Sequence, residues 1–317
     1  MIRIATVGTS SITGLFIEAA RASGRIEVVA CYSRDAAKAA AYAAEQGVGR
    51  SFDDLAAMAS EPDIDAVYVA SPNAAHAAQV RLVLEAGKHV LCEKSITPTA
   101  PEAEPLYALA AERGLVLLEA LRSIWDPGMD AVRAWLPRLG TLRRASLRYE
   151  QRSARYDKVL AGEQVNIFDP ALGGGGLSDL GVYVANILVD LFGAPDRVVA
   201  GLVPVATGAD GAGVALACYP GLVVDVDWSK ITVSSVPTAF SGELGTLLVD
   251  HIDRPRHLVV EWVDGRREEQ TVEAAENNMQ YEAAYFADLV ESGNIAEQDA
   301  ARSVGALRFM DTAREVG

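Results

Sequence analysis

The sequence predicts an α/β protein: a doubly wound parallel sheet first, then a second α/β domain on a mostly antiparallel sheet. Three observations carry this. From residue 2 to about 120, short apolar strands alternate with amphipathic helical stretches, the pattern of repeated strand-helix-strand units. These strands are near-continuous Val, Ile and Ala runs, as expected of strands covered by helices on both faces. Beyond residue 122 most strands follow one another without intervening helices and alternate polar with apolar residues, which reads as an antiparallel sheet with one covered face.

The first domain, residues 1–121, has strand candidates at 2–7, 26–31, 65–70, 89–92 and 115–120, separated by Ala-rich helical runs such as DAAKAAAYAAEQ. The second, residues 122–317, opens with a helix near 127–137 and a long strand at 141–151. A Gly-rich segment follows, with a helix near 177–192. Strands are then expected in RVVAGLVPV, GVALACYP, LVVDVDWS, LLVDH and HLVVEWVD, and helices near 278–291 and 297–315 close the chain.

A length of 317 residues suits two domains, and 50% hydrophobic with 22% charged residues is a soluble globular composition. The net charge of -15 argues against nucleic acid and anionic membranes as partners. Cys31, Cys92 and Cys218 form no CxxC pair, which excludes a disulfide framework or zinc site as the expectation; no metal is expected. The start MIRIATVG enters a strand at once, with no charged-then-apolar leader. No apolar run is expected to reach the roughly 20 residues of a membrane span. The expected compartment is the cytoplasm.

Ligands of doubly wound sheets bind at the carboxyl ends of the strands, and this rule selects five segments. In GTSSITG, Gly8 matches the first glycine of a GxGxxG turn, while Ser10 and Thr13 occupy the other two glycine positions. Small residues still let a pyrophosphate approach the helix start, and Thr9, Ser10, Ile12 and Thr13 line that approach. After the second strand, an acid would accept the ribose hydroxyls of NAD. Ser33, Arg34 and Lys38 stand there instead, a set suited to the 2′-phosphate of NADP, with NAD as the alternative cofactor. Asp35 either caps the helix or weakens that positive spot, and a solvated Arg34 is the bland alternative.

In SPNAAH, Ser71, Asn73 and His76 read equally as cofactor contacts and as helix-entry structure. In AGKHVLCEKSIT, Lys94 follows an apolar strand by two residues, on the binding edge. It is either a solvated lysine or a desolvated ammonium that polarises a substrate carbonyl or alkoxide, with Glu93 tuning its charge and position. In EALRSIWDP, Arg122 and Trp125 read equally as substrate contacts and as a salt bridge with a packed indole. The second domain adds GGGGLSDLGVY, where Asp179 and Tyr183 are i,i+4 neighbours at a helix start. Either both are structural, or the phenol moves a proton beside a cation.

Taken in order, the Gly8 turn, SPNAAH, AGKHVLCEK and GGGGLSDLGVY resemble the Gfo/Idh/MocA oxidoreductase family nearly end to end. Within it, Tyr32-Ser33-Arg34 and Ala154-Arg155-Tyr156-Asp157 resemble the branch related to dimeric dihydrodiol dehydrogenase, where tyrosine stands in for histidine. The resemblance implies a Rossmann domain followed by a domain with an open-faced antiparallel sheet, commonly used to form a homodimer or homotetramer. It implies hydride transfer between a nicotinamide and a hydroxyl or carbonyl carbon of a sugar, polyol or cyclic diol. Carried over by position, Lys94 is the catalytic lysine, Tyr183 the acid/base and Asp179 its helper. Arg155 and Tyr156 become substrate-loop candidates. Two other readings remain open: a non-catalytic nucleotide sensor, and a glycosidase or epimerase that retains its cofactor.

The family's EKP is EKS here. Ser95 replaces a proline, so the bond after Lys94 is either cis, disfavoured before a non-proline residue, or trans with a displaced Lys94.

Overall fold

Six parallel strands form the first sheet of the computed structural model, which describes residues 1–317. They are β1 (Ile2–Val7), β2 (Ile26–Tyr32), β3 (Ser51–Phe52), β4 (Ala66–Val69), β5 (His89–Glu93) and β6 (Leu117–Ala120). Their order is β3-β2-β1-β4-β5-β6. Helices α1 (Ser11–Ser23), α2 (Ala36–Glu45), α3 (Leu55–Ala59), α4 (Asn73–Glu85) and α5 (Ala100–Glu112) alternate with them. The order reverses between β1 and β4, the position where doubly wound sheets hold their ligands. Every residue of β4 and of β6 is buried, as the continuous apolar runs predict.

This sheet belongs to a unit made of Met1–Arg122 together with Ala275–Ala301; Ser123–Ala274 with Arg302–Gly317 make the other. The break after Arg122 lies one residue from the expected boundary. The segment Ala275–Ala301, expected in the second domain, clusters with the first unit. Its helix α9 (Met279–Ser292) packs on α1 and buries Met279, Ala283, Phe286 and Ala287. Asn277 donates to the Leu15 carbonyl (2.9 Å), and Arg25 pairs with Glu291 (2.7 Å).

The other unit holds α6 (Pro127–Trp135), α7 (Tyr156–Leu160), α8 (Val182–Phe192) and an eight-stranded sheet. Its strands are β7 (Leu142–Glu150), β8 (Arg197–Pro204), β9 (Asp210–Tyr219), β10 (Leu222–Ser229), β11 (Thr238–Gly242), β12 (Gly245–Val249), β13 (His257–Trp262) and β14 (Arg267–Thr271). The order is β14-β13-β12-β11-β7-β10-β9-β8. All pairs are antiparallel except β7 with β10, which is parallel. Two strands, β11 and β14, lie outside the sequence expectation, because TAFSG and REEQT carry too little apolar signal. The last helix is α10 (Glu297–Val316).

Alternation along the strands sorts the two faces of this sheet. Ala145, Leu147, Val224, Val226, Trp228 and Phe240 are buried on one, where α8 packs. Val199, Val203, Val214, Leu216 and Val223 are 43–51% exposed on the other. The expectation that no apolar run reaches the length of a membrane span needs a correction. The helical stretch Pro170–Phe192 spans 23 residues and is apolar enough, but 72% of its most apolar window is buried, as in a core helix.

Candidate active site

At the switch between β1 and β4, Gly8 has φ of 112°. A Cβ there would lie 2.5 Å from the Ala70 carbonyl oxygen, so only glycine lets the turn pass this close to the end of β4. Ser10 stands at the N-cap of α1, yet its hydroxyl does not cap the helix; it lies 3.4 Å from the Thr13 hydroxyl. The first-turn amides of α1 are thus left for an anion. Thr9 and Ile12 are half-buried beside the turn, and Thr13 is buried under it.

At the end of β2, the ambiguity over Asp35 resolves: its carboxylate accepts from the Lys38 backbone N–H (3.0 Å) and caps α2. Ser33 is half-buried, while Arg34 and Lys38 are exposed. Two cations and a hydroxyl therefore stand where an acid would hold the ribose of NAD, and the Asp35 carboxylate is committed to the helix start. This charge pattern, the glycine cradle and the uncapped start of α1 fit a dinucleotide.

The end of β4 leads into α4. Ser71 donates its hydroxyl to Gln79 (2.6 Å), and Asn73 begins the helix. His76 is fully buried. Its Nε2 lies 2.8 Å from the Ser71 carbonyl oxygen and its Nδ1 3.0 Å from that of Ser95. Burial pushes the imidazole pKa down, against the pull of these carbonyls. The ring therefore ties the loop after β5 to the end of β4, a use of His76 that its placement in SPNAAH did not reveal.

That loop carries Lys94, half-buried, and its bond to Ser95 is cis. The Ile96 N–H donates to the Glu119 carboxylate of β6 (2.9 Å). Glu119, 1% exposed, is a residue the motifs miss, although an acid inside a buried strand always needs a partner.

Behind Lys94 lies a charge cluster drawn from across the unit. Glu93 accepts from the Tyr68 hydroxyl at 2.5 Å. Burial pushes the Glu93 carboxyl up, opposed by Tyr68, Lys94 and Arg122. Glu282 of α9, also buried, is raised well above its ordinary value by burial and by Glu93, with Arg122 opposing. Arg122 thus opposes the rise of both carboxyls. Tyr68 and Glu282 carry no motif signal: one sits in a strand run, the other in a helix about 190 residues after Glu93.

In the other unit, the helix start at Leu177–Gly181 is a π-helical turn running into α8. The glycines ahead of it are needed for close approach. A Cβ on Gly175 would meet the Asp210 carboxylate at 2.3 Å, and one on Gly176 the Gly211 carbonyl oxygen at 2.9 Å. Asp210 accepts from the Leu177 N–H (2.6 Å) and the Trp228 indole N–H (2.9 Å). Asp179 pairs with Lys230, which directly follows β10. Tyr183 is buried, with its ring edge-on to Tyr149 at 5.3 Å. Neither Asp210 nor Lys230 is visible in the motif, since both come from a later hairpin.

Of the remaining candidates, Trp125 lies under the Arg302 guanidinium (5.1 Å), so a packed indole is part of its role. Arg155 is exposed at the start of α7. Tyr156 packs on Phe168 (5.8 Å), with the Arg152 guanidinium 5.3 Å from its ring.

Known proteins resemble this chain. Residues 2–121 match the model of the Gfo/Idh/MocA oxidoreductase family with an NAD-binding Rossmann fold, and residues 134–248 that of its C-terminal domain. The chain is 37% identical over 317 residues to scyllo-inositol 2-dehydrogenase (NADP(+)) of Bacillus subtilis, covering 99% of this chain and 97% of that one. It is 33% identical over 221 residues to a trans-1,2-dihydrobenzene-1,2-diol dehydrogenase of Oryctolagus cuniculus, covering 68% and 65%. A 3-ketoreductase from Actinomadura kijaniata, solved with NADP and TDP-benzene, superimposes with a TM-score of 0.88 at 26% identity, over 99% and 97% of the two chains. With both domain models matched in order, the chain belongs to the Gfo/Idh/MocA family of oxidoreductases.

Proposed function

We propose that this protein is an NADP-preferring dehydrogenase or reductase acting on a hydroxyl or carbonyl carbon of a sugar, polyol or cyclic diol. The observation that carries the NADP preference is the end of β2, where Arg34 and Lys38 are exposed and Asp35 is drawn away to cap α2. When bound, the nicotinamide supplies or takes up the hydride. The Gly8 turn and the start of α1 hold the diphosphate, and Ser33, Arg34 and Lys38 hold the 2′-phosphate. Ser71, Asn73 and Glu93 are assigned to the cofactor side of the strand edge.

Lys94 stabilises the alkoxide that develops as the hydroxyl proton leaves in oxidation, or as hydride reaches the carbonyl carbon in reduction. Tyr183 takes the hydroxyl proton in oxidation and returns it in reduction, and Asp179 assists it. Trp125, Arg155 and Tyr156 are assigned to the substrate side, and Arg122 supports Glu93. The substrate class rests on the B. subtilis polyol dehydrogenase and the A. kijaniata ketoreductase; the dihydrodiol dehydrogenases extend it to cyclic diols. The apolar exposed face of the larger sheet supports self-association as a dimer or tetramer.

The test is turnover of scyllo-inositol, trans-dihydrobenzenediol and a sugar panel with NADP+ and with NAD+. The expected outcome is a higher kcat/KM with NADP+. Lys94→Met should lower kcat by roughly 10²–10³-fold while NADP+ still binds. Equal turnover in this variant removes the lysine from the mechanism.

A further inference from the structure

The unit that carries Tyr183 also holds a buried cation to which the reaction above gives no part. Lys230 is 4% exposed. Its ammonium pairs with the Asp179 carboxylate, and the Phe168 ring centre lies 5.7 Å away. Its backbone is fixed as well, since the Lys230 N–H donates to the Gly211 carbonyl (2.8 Å). Asp179 stands four residues before Tyr183, in a helix start clamped by Asp210. A carboxylate four residues before the phenol on one helix, left unopposed, disfavours the phenolate by like-charge repulsion. A buried ammonium on that carboxylate cancels the repulsion and holds the carboxylate in place.

Other titratable and charged groups stand around the helix start within this unit. Tyr149 of β7 meets the Tyr183 ring. Asp179 comes from the helix itself and Lys230 from the end of β10. Asp210 is taken by Leu177 and Trp228, and Arg314 donates to Ser178 (3.1 Å) while pairing with Asp311.

We propose that Lys230 is a positioning residue for the reaction: by pairing with Asp179 it neutralises and fixes that carboxylate, so that the Tyr183 oxygen can accept and return the substrate proton. This rests on Tyr183 being the acid/base. In oxidation the hydroxyl proton passes to the Tyr183 oxygen while the hydride leaves the carbon; reduction reverses both transfers.

Tyrosinate absorbance, titrated in the whole protein and corrected by the Tyr183→Phe variant, isolates this phenol without any substrate. Lys230→Met should move its titration to higher pH by about one unit. Adding Asp179→Asn should bring most of that shift back, because both charges are then gone, whereas a purely structural lysine gives single and double variants the same titration. An unmoved titration, or a double variant no nearer the parent than the single, overturns the proposal. Should Lys230→Met fail to fold, Asp179→Asn alone, which keeps the cation, must move the titration to lower pH; no movement is equally fatal. Oxidation of scyllo-inositol with NADP+ separates the two levels. If Tyr183→Phe turns over like the parent, the acid/base assignment falls while the titration result stands.

Discussion

Each unit places a charge cluster at its candidate site, and the two are built on opposite principles. Behind Lys94, carboxylates are crowded: Glu93 and Glu282 are both pushed up by burial, with Lys94 and Arg122 opposing the rise at Glu93 and Arg122 that at Glu282. At the helix that carries Tyr183, charge is matched, with Asp179 on Lys230, while Asp210 serves two N–H donors. A buried carboxylate lacking a full counterion keeps its proton. A paired one does not need to. Burial therefore raises the proton affinity of the carboxyls behind Lys94, whereas ion pairing fixes the carboxylate that stands before Tyr183.

Removing one carboxylate from each region tests that division. Asp210→Ala strips two charge-assisted hydrogen bonds from the helix start, and should cost roughly 2–4 kcal/mol in chemical unfolding. Glu119→Ala strips the acceptor from the Ile96 N–H (2.9 Å), and should cost roughly 1–3 kcal/mol. Its further signature is kinetic: kcat should fall more than NADP+ affinity, because the loop that aims Lys94 is loosened. If Asp210→Ala costs no more than a surface substitution, the helix start is not the fixed region described above.

The contrast also explains what was legible in the sequence. Lys94, Glu93 and the Gly8 turn are coded by neighbours in the chain: a strand period ends, and the next residues must lie on the binding edge. Asp179 and Tyr183 are legible for the same reason, four residues apart on one helix. Their partners are not. Lys230 lies 51 positions from Asp179, and no local period links them; only the hairpin of β9 and β10 brings them together. Glu282 was out of reach for a different reason. Helix α9 reads as part of the second domain because it follows that domain's strands, yet its apolar face finds its cover on α1. Periodicity says that a helix has a buried face and is silent about what buries it. Ser95 shows the same limit at shorter range: with proline gone, the sequence leaves the bond after Lys94 open between cis and trans, and it is cis.

The effect that most sharpens the contrast, nil in acid and growing only as pH rises, belongs to Glu282→Gln. Glu282 is 1% exposed, and its Oε2 has no hydrogen-bond partner. Its folded-state pKa is raised well above the ordinary value of 4.5, first by burial and then by Glu93, with Arg122 pulling the other way. Below 4.5 the carboxyl is protonated in folded and unfolded chains alike, and it contributes no slope. Above 4.5 the unfolded chain releases the proton while the folded protein retains it, so stability falls as pH rises toward the folded value. For one proton the slope is about 1.4 kcal/mol per pH unit. Glutamine has the shape of the neutral acid and does not titrate. Unfolding midpoints in urea, measured for parent and variant, should therefore coincide in acid and separate as pH rises, with the variant the more stable. Glu93, raised in the same direction, leaves a residual slope in both. If the two curves stay together up to neutral pH, Arg122 fully compensates an ionised Glu282. The lysine edge would then be as matched as the tyrosine helix, and the crowded carboxylates behind Lys94 would have no proton to hold.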